Sequence, residues 1–254
     1  MRRVFAALIS MLLVYMMVSF LAVLEPYGKA DLSRRVSVHY LAKDVNEVEP
    51  VEWIKGKIQI PSERKIYGES NLEDGSANVV TSIVVNYRSF DTLGEVTVLL
   101  AAAIGIGLVL RGTKRMKYGR NPNFILRVST GILLPLMLMF GAYVFVHGHL
   151  SPGGGFPGGT ILAAAVLLLY LSNEEFSLKE KAAKFLEGSM GSLYVIVGLA
   201  GLLTGGAFLY NFLSNGRVGD LFSAGVVPIV YIVIGLKVGS ELSGVISEIH
   251  REGE

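Results

Sequence analysis

Six long apolar stretches, separated by polar or glycine-rich segments, follow one another along this chain. A helix of about 20 apolar residues crosses the hydrocarbon core of a membrane, and most of these stretches are close to that length. The sequence therefore predicts an all-α integral membrane protein with about six transmembrane helices. The predicted spans are 4–24, 93–110, 124–146, 158–171, 191–212 and 225–246.

The segment between the first two spans is polar. Residues 25–90 carry charges of both signs, and we expect most of them to form a polar extracellular loop, in which Ile58-Gln59-Ile60 has the pattern of a short strand. Asn78, Ser82 and Asn86 recur every fourth residue among valines and isoleucines, which predicts a polar stripe on a short lateral amphipathic helix. That helix lies either along the membrane interface or against other helices.

Basic residues set the expected orientation in the membrane. Five Lys and Arg side chains lie in segment 111–120, directly after the second span, and the charged connector at 174–187 carries three lysines. Such clusters stay on the cytoplasmic side. Arg2-Arg3 precede the first span, which lacks a small-residue cleavage site, so we expect an uncleaved span. Six spans then place both termini in the cytoplasm and residues 147–159 at the outer face.

The composition narrows the classes of function. The chain is 52% hydrophobic and 17% charged, and its net charge of +2 indicates no nucleic-acid partner. The lack of cysteine excludes disulfides, iron–sulfur ligation by thiolates and thiol catalysis. Because the four histidines are scattered and no nucleophile–base motif occurs, we expect no bound metal, no cofactor and no catalytic site in this chain.

Lys237 is the strongest candidate for a functional side chain. It lies near the middle of the sixth span, where an ionisable residue is costly and therefore a functional candidate. Glu241 follows four residues later on the same helical face and is a suitable counter-ion. Two interpretations remain open: a lysine in a proton or ion path, or a static buried ion pair that fixes helix packing.

Asp91 and Glu95 open the second span. Thr92 and Glu95 fit a capping box, in which the glutamate bonds back to the cap amide. Alternatively, the two carboxylates, four residues apart, share one face and collect a cation or relay protons. On that interpretation we expect a transient Na⁺ near Asp91 and Glu95.

His147 and His149 lie in the glycine-rich stretch between the third and fourth spans. Two residues apart, they point to different faces of a helix and make a poor joint metal site. The spans on either side are long enough without this stretch, so we expect a turn at the outer rim. There the histidines either cap and bind interfacial water or line an outer ion exit.

Three stretches resemble a known family. The sequence GHLSPGGGFPGG at 148–159 resembles the signature of the B subunit of multisubunit Mrp-type Na⁺/H⁺ antiporters, and residues 222–239 resemble the last span of that subunit. Within it, Tyr231 stands where we expect a polar Asn or Asp. Residues 78–95 resemble the C-terminal end of the antiporter's large A subunit, where the acidic residue equivalent to Glu95 belongs to a membrane-embedded polar region.

The resemblance implies a fusion of two units. We expect an A-subunit-tail-like unit with two spans at 1–110, a basic cytoplasmic linker at 111–122 and a B-subunit-like four-span domain at 123–250. Such a chain resembles the Mrp modules of archaeal membrane-bound hydrogenases and sulfur-reducing complexes.

The resemblance further implies a non-catalytic membrane subunit of a module that translocates Na⁺ and H⁺. Its expected partners are other Mrp-type subunits, hydrogenase or sulfur-reductase subunits, and the lipid bilayer. Two alternatives remain: an assembly scaffold with no ion path of its own, and a subunit of a stand-alone antiporter.

Overall fold

The computed structural model describes residues 11–12, 14–16, 18–19, 52–54, 57–59, 75–110, 123–173 and 175–250. The described residues between 11 and 19 are helical. Most of the first predicted span, most of the predicted extracellular loop and the basic linker lie outside the described residues.

The described chain is predominantly helical. Strands β1 (Glu52–Ile54) and β2 (Lys57–Gln59) pair antiparallel, as the pattern around Ile58 predicted. Helix α1 (Val79–Thr81) continues as a π-helical segment, Ser82–Tyr87. Five long helices follow: α2 (Ser89–Leu110), α3 (Phe124–Val146), α4 (Gly155–Ser172), α5 (Glu180–Gly205) and α6 (Val227–His250).

Within the described residues, α2 to α6 are the helices long and apolar enough to cross a membrane. The all-α membrane fold is therefore confirmed. The predicted third span, 124–146, coincides with α3. The predicted span at 4–24 would bring the number of transmembrane helices from five to six, so the total of six stays a prediction.

Helix α6 is the centre of the bundle. Its apolar window is 61% buried, whereas the corresponding windows of the other four helices are between 6% and 33% buried. Its most extensive contacts are with α4 and α5, and it also contacts α2 and α3. Any polar side chain in the middle of α6 is therefore surrounded by protein.

The predicted boundaries of the fifth span are wrong. Helix α5 begins at Glu180, within the charged segment that we expected to be a connector, and ends at Gly205. Gly206 has a φ of +74°, a left-handed conformation that glycine adopts without steric cost, and it terminates the helix. The chain then folds back, and the Leu209 amide donates to the Gly198 carbonyl at 3.1 Å.

Candidate functional site

Lys237 and Glu241 form a buried ion pair on α6. The Lys237 Nζ donates to Glu241 Oε2 at 2.6 Å, and the two side chains are 7% and 1% exposed. The pairing predicted from the four-residue spacing is therefore present. The aliphatic part of the Lys237 side chain lies over Gly191 of α5. A Cβ atom added at Gly191 would be 3.5 Å from the Cε atom of Lys237.

A cavity of about 420 Å³ adjoins this pair. Residues Leu100 to Gly107 of α2 form an apolar wall, and polar side chains from α5 and α6 form the opposite side. The charged residues that line it are Glu180, Lys184, Glu187, Glu241 and Glu248. The cavity is therefore strongly acidic, in a part of the bundle where charges are costly.

Glu187 is a site residue that sequence reasoning missed. It lies close enough to Glu241 and Lys237 to interact electrostatically with both. The sequence suggests a charged connector at this position, but α5 begins two turns earlier and carries Glu187 into the bundle. The spacing of Glu180, Lys184 and Glu187 was the available signal, because these three residues share one helical face.

Asp91 and Glu95 have separate surroundings. Asp91 forms a half-exposed ion pair with Arg88, with Nε and Oδ2 2.6 Å apart. Glu95 lies on the exposed face of α2 within electrostatic range of Tyr194 and Tyr231. The capping-box interpretation is wrong, because α2 begins at Ser89 and Thr92 lies inside its first turns. The transient Na⁺ near these carboxylates stays a prediction.

Glu95 and the Lys237 pair lie at successive levels of one helix interface. Tyr231, near Glu95, precedes Lys237 by six residues on α6, which corresponds to about 9 Å along the axis. Leu100 and Ile104 of α2 line the cavity with Glu241. The contacts between α2, α5 and α6 therefore carry ionisable groups over several turns.

Residues 76–81, which include Asn78 from the predicted polar stripe, pack against the glycine-rich turn. Asn78 Nδ2 donates to the carbonyls of Gly148 and Ser151, at 2.9 and 3.0 Å. Thr81 Oγ1 donates to the Gly148 carbonyl at 2.7 Å and accepts from the Tyr231 hydroxyl at 3.0 Å. Of the two alternatives for this segment, packing against other parts of the chain is therefore the observed one.

The two histidines of the turn differ in their surroundings. His147 is partly exposed and stacks on Tyr143, with ring centroids 4.3 Å apart. His149 is fully buried, and its carbonyl accepts from Ser76 Oγ at 2.8 Å. Its ring lies against the backbone of Asp220 and Leu221, although neither ring nitrogen reaches hydrogen-bond geometry with a described residue.

Burial lowers the pKa of His149 below its usual value of 6.5, and the neighbouring His147 lowers it further. The unfolded chain therefore binds more protons than the folded chain below about pH 6.5, so stability falls as the pH falls through that value. We expect the thermal midpoint of the purified complex to decrease between pH 7.5 and 5.5, with a slope of at most about 1.4 kcal/mol per pH unit from this group.

The check is thermal unfolding at both pH values. His149→Asn should remove this part of the pH dependence, whereas His147→Asn should retain most of it. An equal pH slope in the His149→Asn variant and the unmodified complex would contradict the assignment.

Among the residues that the structure describes, no group of three or more His, Cys, Asp or Glu side chains is arranged to hold a metal ion. The carboxylates of the cavity are therefore not arranged as a tight, fully protein-ligated metal centre. They remain suited to protons or to exchangeable cations.

Two family models match parts of this chain. Residues 125–244 match the domain related to the MnhB subunit of Na⁺/H⁺ antiporters, and residues 62–118 match the family MbhE, described as the E subunit of MBH. The B subunit of the Na⁺/H⁺ antiporter of Alkalihalophilus pseudofirmus is 35% identical over 107 residues, which cover 41% of this chain and 74% of the relative.

Two solved structures are similar. A chain of the membrane-bound sulfane sulfur reductase, an archaeal respiratory membrane complex, has 35% identity and a TM-score of 0.70, with 99% of both chains covered. A chain of the Mrp complex from Dietzia sp. has 26% identity and a TM-score of 0.57, covering 71% of this chain and 21% of that one. This chain therefore belongs to the family of MnhB-related Na⁺/H⁺ antiporter subunits.

Proposed function

We propose that this chain is a non-catalytic membrane subunit of an Mrp-type module that translocates Na⁺ and H⁺, within a redox-driven respiratory complex. The observation that carries the proposal is the buried Lys237–Glu241 pair beside an acidic cavity in the middle of membrane helices. The similarity over 99% of both chains to a chain of a sulfane sulfur reductase complex supports the respiratory setting.

The proposed ion path runs between helices α2, α5 and α6. Glu95 and the two tyrosines near it form one level, and the Lys237 pair with Glu187 forms the next. Glu180 and Glu248 then line the mouth of the cavity near the ends of α5 and α6. Ionisable side chains in spans mark proton and ion relays in many transporters.

In the membrane orientation that we propose, the mouth of the cavity faces the cytoplasm. The basic linker at 111–122 follows α2, and lysines surround the start of α5. Both features favour the cytoplasmic side. Both termini then lie in the cytoplasm, and the glycine-rich turn with His149 lies at the outer face.

Glu95 also indicates a partner. An ionised side chain on the exposed face of a span cannot remain in contact with lipid at low cost. In the complex, another membrane subunit or a water-filled passage covers it. The alternative function, an assembly scaffold without an ion path, makes the same interface but does not need the Glu95 carboxylate to carry an ion.

A transport assay separates the two functions. We expect Glu95→Gln to lower Na⁺-dependent transport per assembled complex in vesicles by about tenfold, because the isosteric amide removes the charge that relays the ion. Native gels should show normal assembly. Glu175→Gln, in an exposed loop outside the path, is the matched control and should keep full transport.

The scaffold alternative predicts a different result. Under it, Glu95→Gln lowers the yield of intact complex while each assembled complex keeps its turnover. That outcome, or normal yield with unchanged turnover, would overturn the path through Glu95.

A further inference from the structure

We propose that Glu187, Glu241 and Lys237 form a binding site for one Na⁺ ion that retains part of its hydration shell. This inference rests on the proposed function and adds a residue and a ligand to it. The three side chains come from α5 and α6, and the cavity beside them is the route by which the ion arrives.

The net charge of the site favours the binding of a cation. Glu187 and Glu241 lie with the ammonium group of Lys237, and Lys184, three residues before Glu187 on α5, also acts electrostatically on Glu187. Glu180 and Glu248 line the same cavity, so four carboxylates face the two ammonium groups and the surroundings of the cavity carry a net negative charge when all six groups are ionised. A buried unbalanced charge is costly, and either a bound monovalent cation or a proton removes that cost.

One carboxylate oxygen is available as a ligand. Lys237 bonds to Oε2 of Glu241, while Oε1 of the same group is buried and has no hydrogen-bond partner among the described residues. An unsatisfied buried acceptor costs about 1–3 kcal/mol. Since Glu241 lines the cavity, an ion entering there can accept this oxygen as a ligand.

The dimensions and ligand types favour a hard monovalent cation. Carboxylate and water oxygens are the ligands of hard cations. A volume of about 420 Å³ holds an ion together with several waters, since each water occupies about 30 Å³ in the liquid. Two carboxylates without a third acidic or histidine ligand suit weak, exchangeable binding rather than a permanent metal centre, as far as the described residues extend.

Lys237 then competes with the Na⁺ ion for the carboxylate of Glu241. Its ammonium already bonds to Glu241, so an incoming Na⁺ weakens that bond and shifts the pair apart. Competition of this kind keeps affinity low and release fast, which conduction through a multi-site path requires. Glu187 positions the ion between the two helices.

Equilibrium binding of ²²Na⁺ to the purified intact complex tests the site. We expect Glu187→Gln and Glu241→Gln each to remove one bound Na⁺ per complex, or to raise its dissociation constant at least about tenfold. Glu187→Asp, which keeps the charge on a shorter stem, should restore binding in part. Glu175→Gln is the control, and native gels and thermal midpoints establish that each variant complex is intact.

The outcomes separate this site from the proposed function. Unchanged Na⁺ binding in Glu187→Gln, together with lowered transport in Glu95→Gln, overturns the sodium site and leaves the ion path standing. If Glu187→Gln changes only the pH dependence of transport, the site binds a proton and the sodium assignment is overturned. If it changes only assembly, a basic side chain of a partner occupies the cavity, and the assignment is again overturned.

Discussion

Lys237→Met is expected to cause one of the largest losses of stability in this chain. The substitution leaves the Glu241 carboxylate buried at 1% exposure without its cation. Removing one partner of a buried ion pair costs about 3–5 kcal/mol, because the remaining charge has neither water nor a counter-ion. We expect a lower thermal midpoint and a lower yield of intact complex, measured in sodium-free choline buffer so that no alkali cation replaces the ammonium.

The double variant distinguishes the two interpretations of the pair. Lys237→Met with Glu241→Leu removes both charges and roughly keeps the volume, so stability should recover to near the unmodified level. Transport per complex should remain lost if the pair belongs to the ion path. Full transport in a stable double variant would show instead that the pair only locks the packing of α6.

The membrane helices and the Lys237–Glu241 pair could be predicted because both depend on local sequence. The length of the apolar run predicts the bounds of α3, residues 124–146. The spacing of four residues places Glu241 beside Lys237 on one face of α6. Helix boundaries set by turn geometry were missed, as at Gly206, where a left-handed residue ends α5 inside an apolar run. Hydrophobicity does not report such a reversal.

The remaining parts of the site depend on contacts between distant residues. Glu187 reaches Glu241 only because α5 and α6 pack against each other, 54 positions apart in sequence. His149 is buried and His147 is partly exposed, because segment 76–81 and the backbone of residues 220–221 lie against the turn around His149. A single sequence contains no direct information on which distant segments meet.

The glycine-rich stretch, which the sequence predicted to be a turn at the rim, also contributes to packing. Its last glycines belong to the first turns of α4, where Gly155 and Gly159 lie against α6 and Gly158 lies against α3. Close helix approach through small residues is a common means of association in membranes, where no hydrophobic effect drives helices together. The motif thus fixes the position of the helix that holds Lys237.

Gly159→Val is expected to disrupt this contact. A Cβ at Gly159 would lie 2.7 Å from the Gly235 carbonyl oxygen and 2.9 Å from the Gly239 amide nitrogen. Both are backbone atoms, so a rotamer change cannot relieve the overlap and α4 must move away from α6. Overpacking typically costs about 1–3 kcal/mol, and backbone displacement along a helix contact is at the upper end. We expect a marked loss of intact complex on native gels and a lower thermal midpoint.

Gly131→Val on α3 is the matched control, because a Cβ there meets no atom within 4 Å among the described residues. It carries the same change in helix propensity, so the difference between the two variants isolates the α4–α6 contact. Equal yields would show that α4 can shift without cost, and α6 would then not depend on the glycines for its position. A loss at Gly159 alone, accompanied by reduced Na⁺ binding in the complexes that survive, would link the packing of the motif to the geometry of Lys237, Glu241 and Glu187.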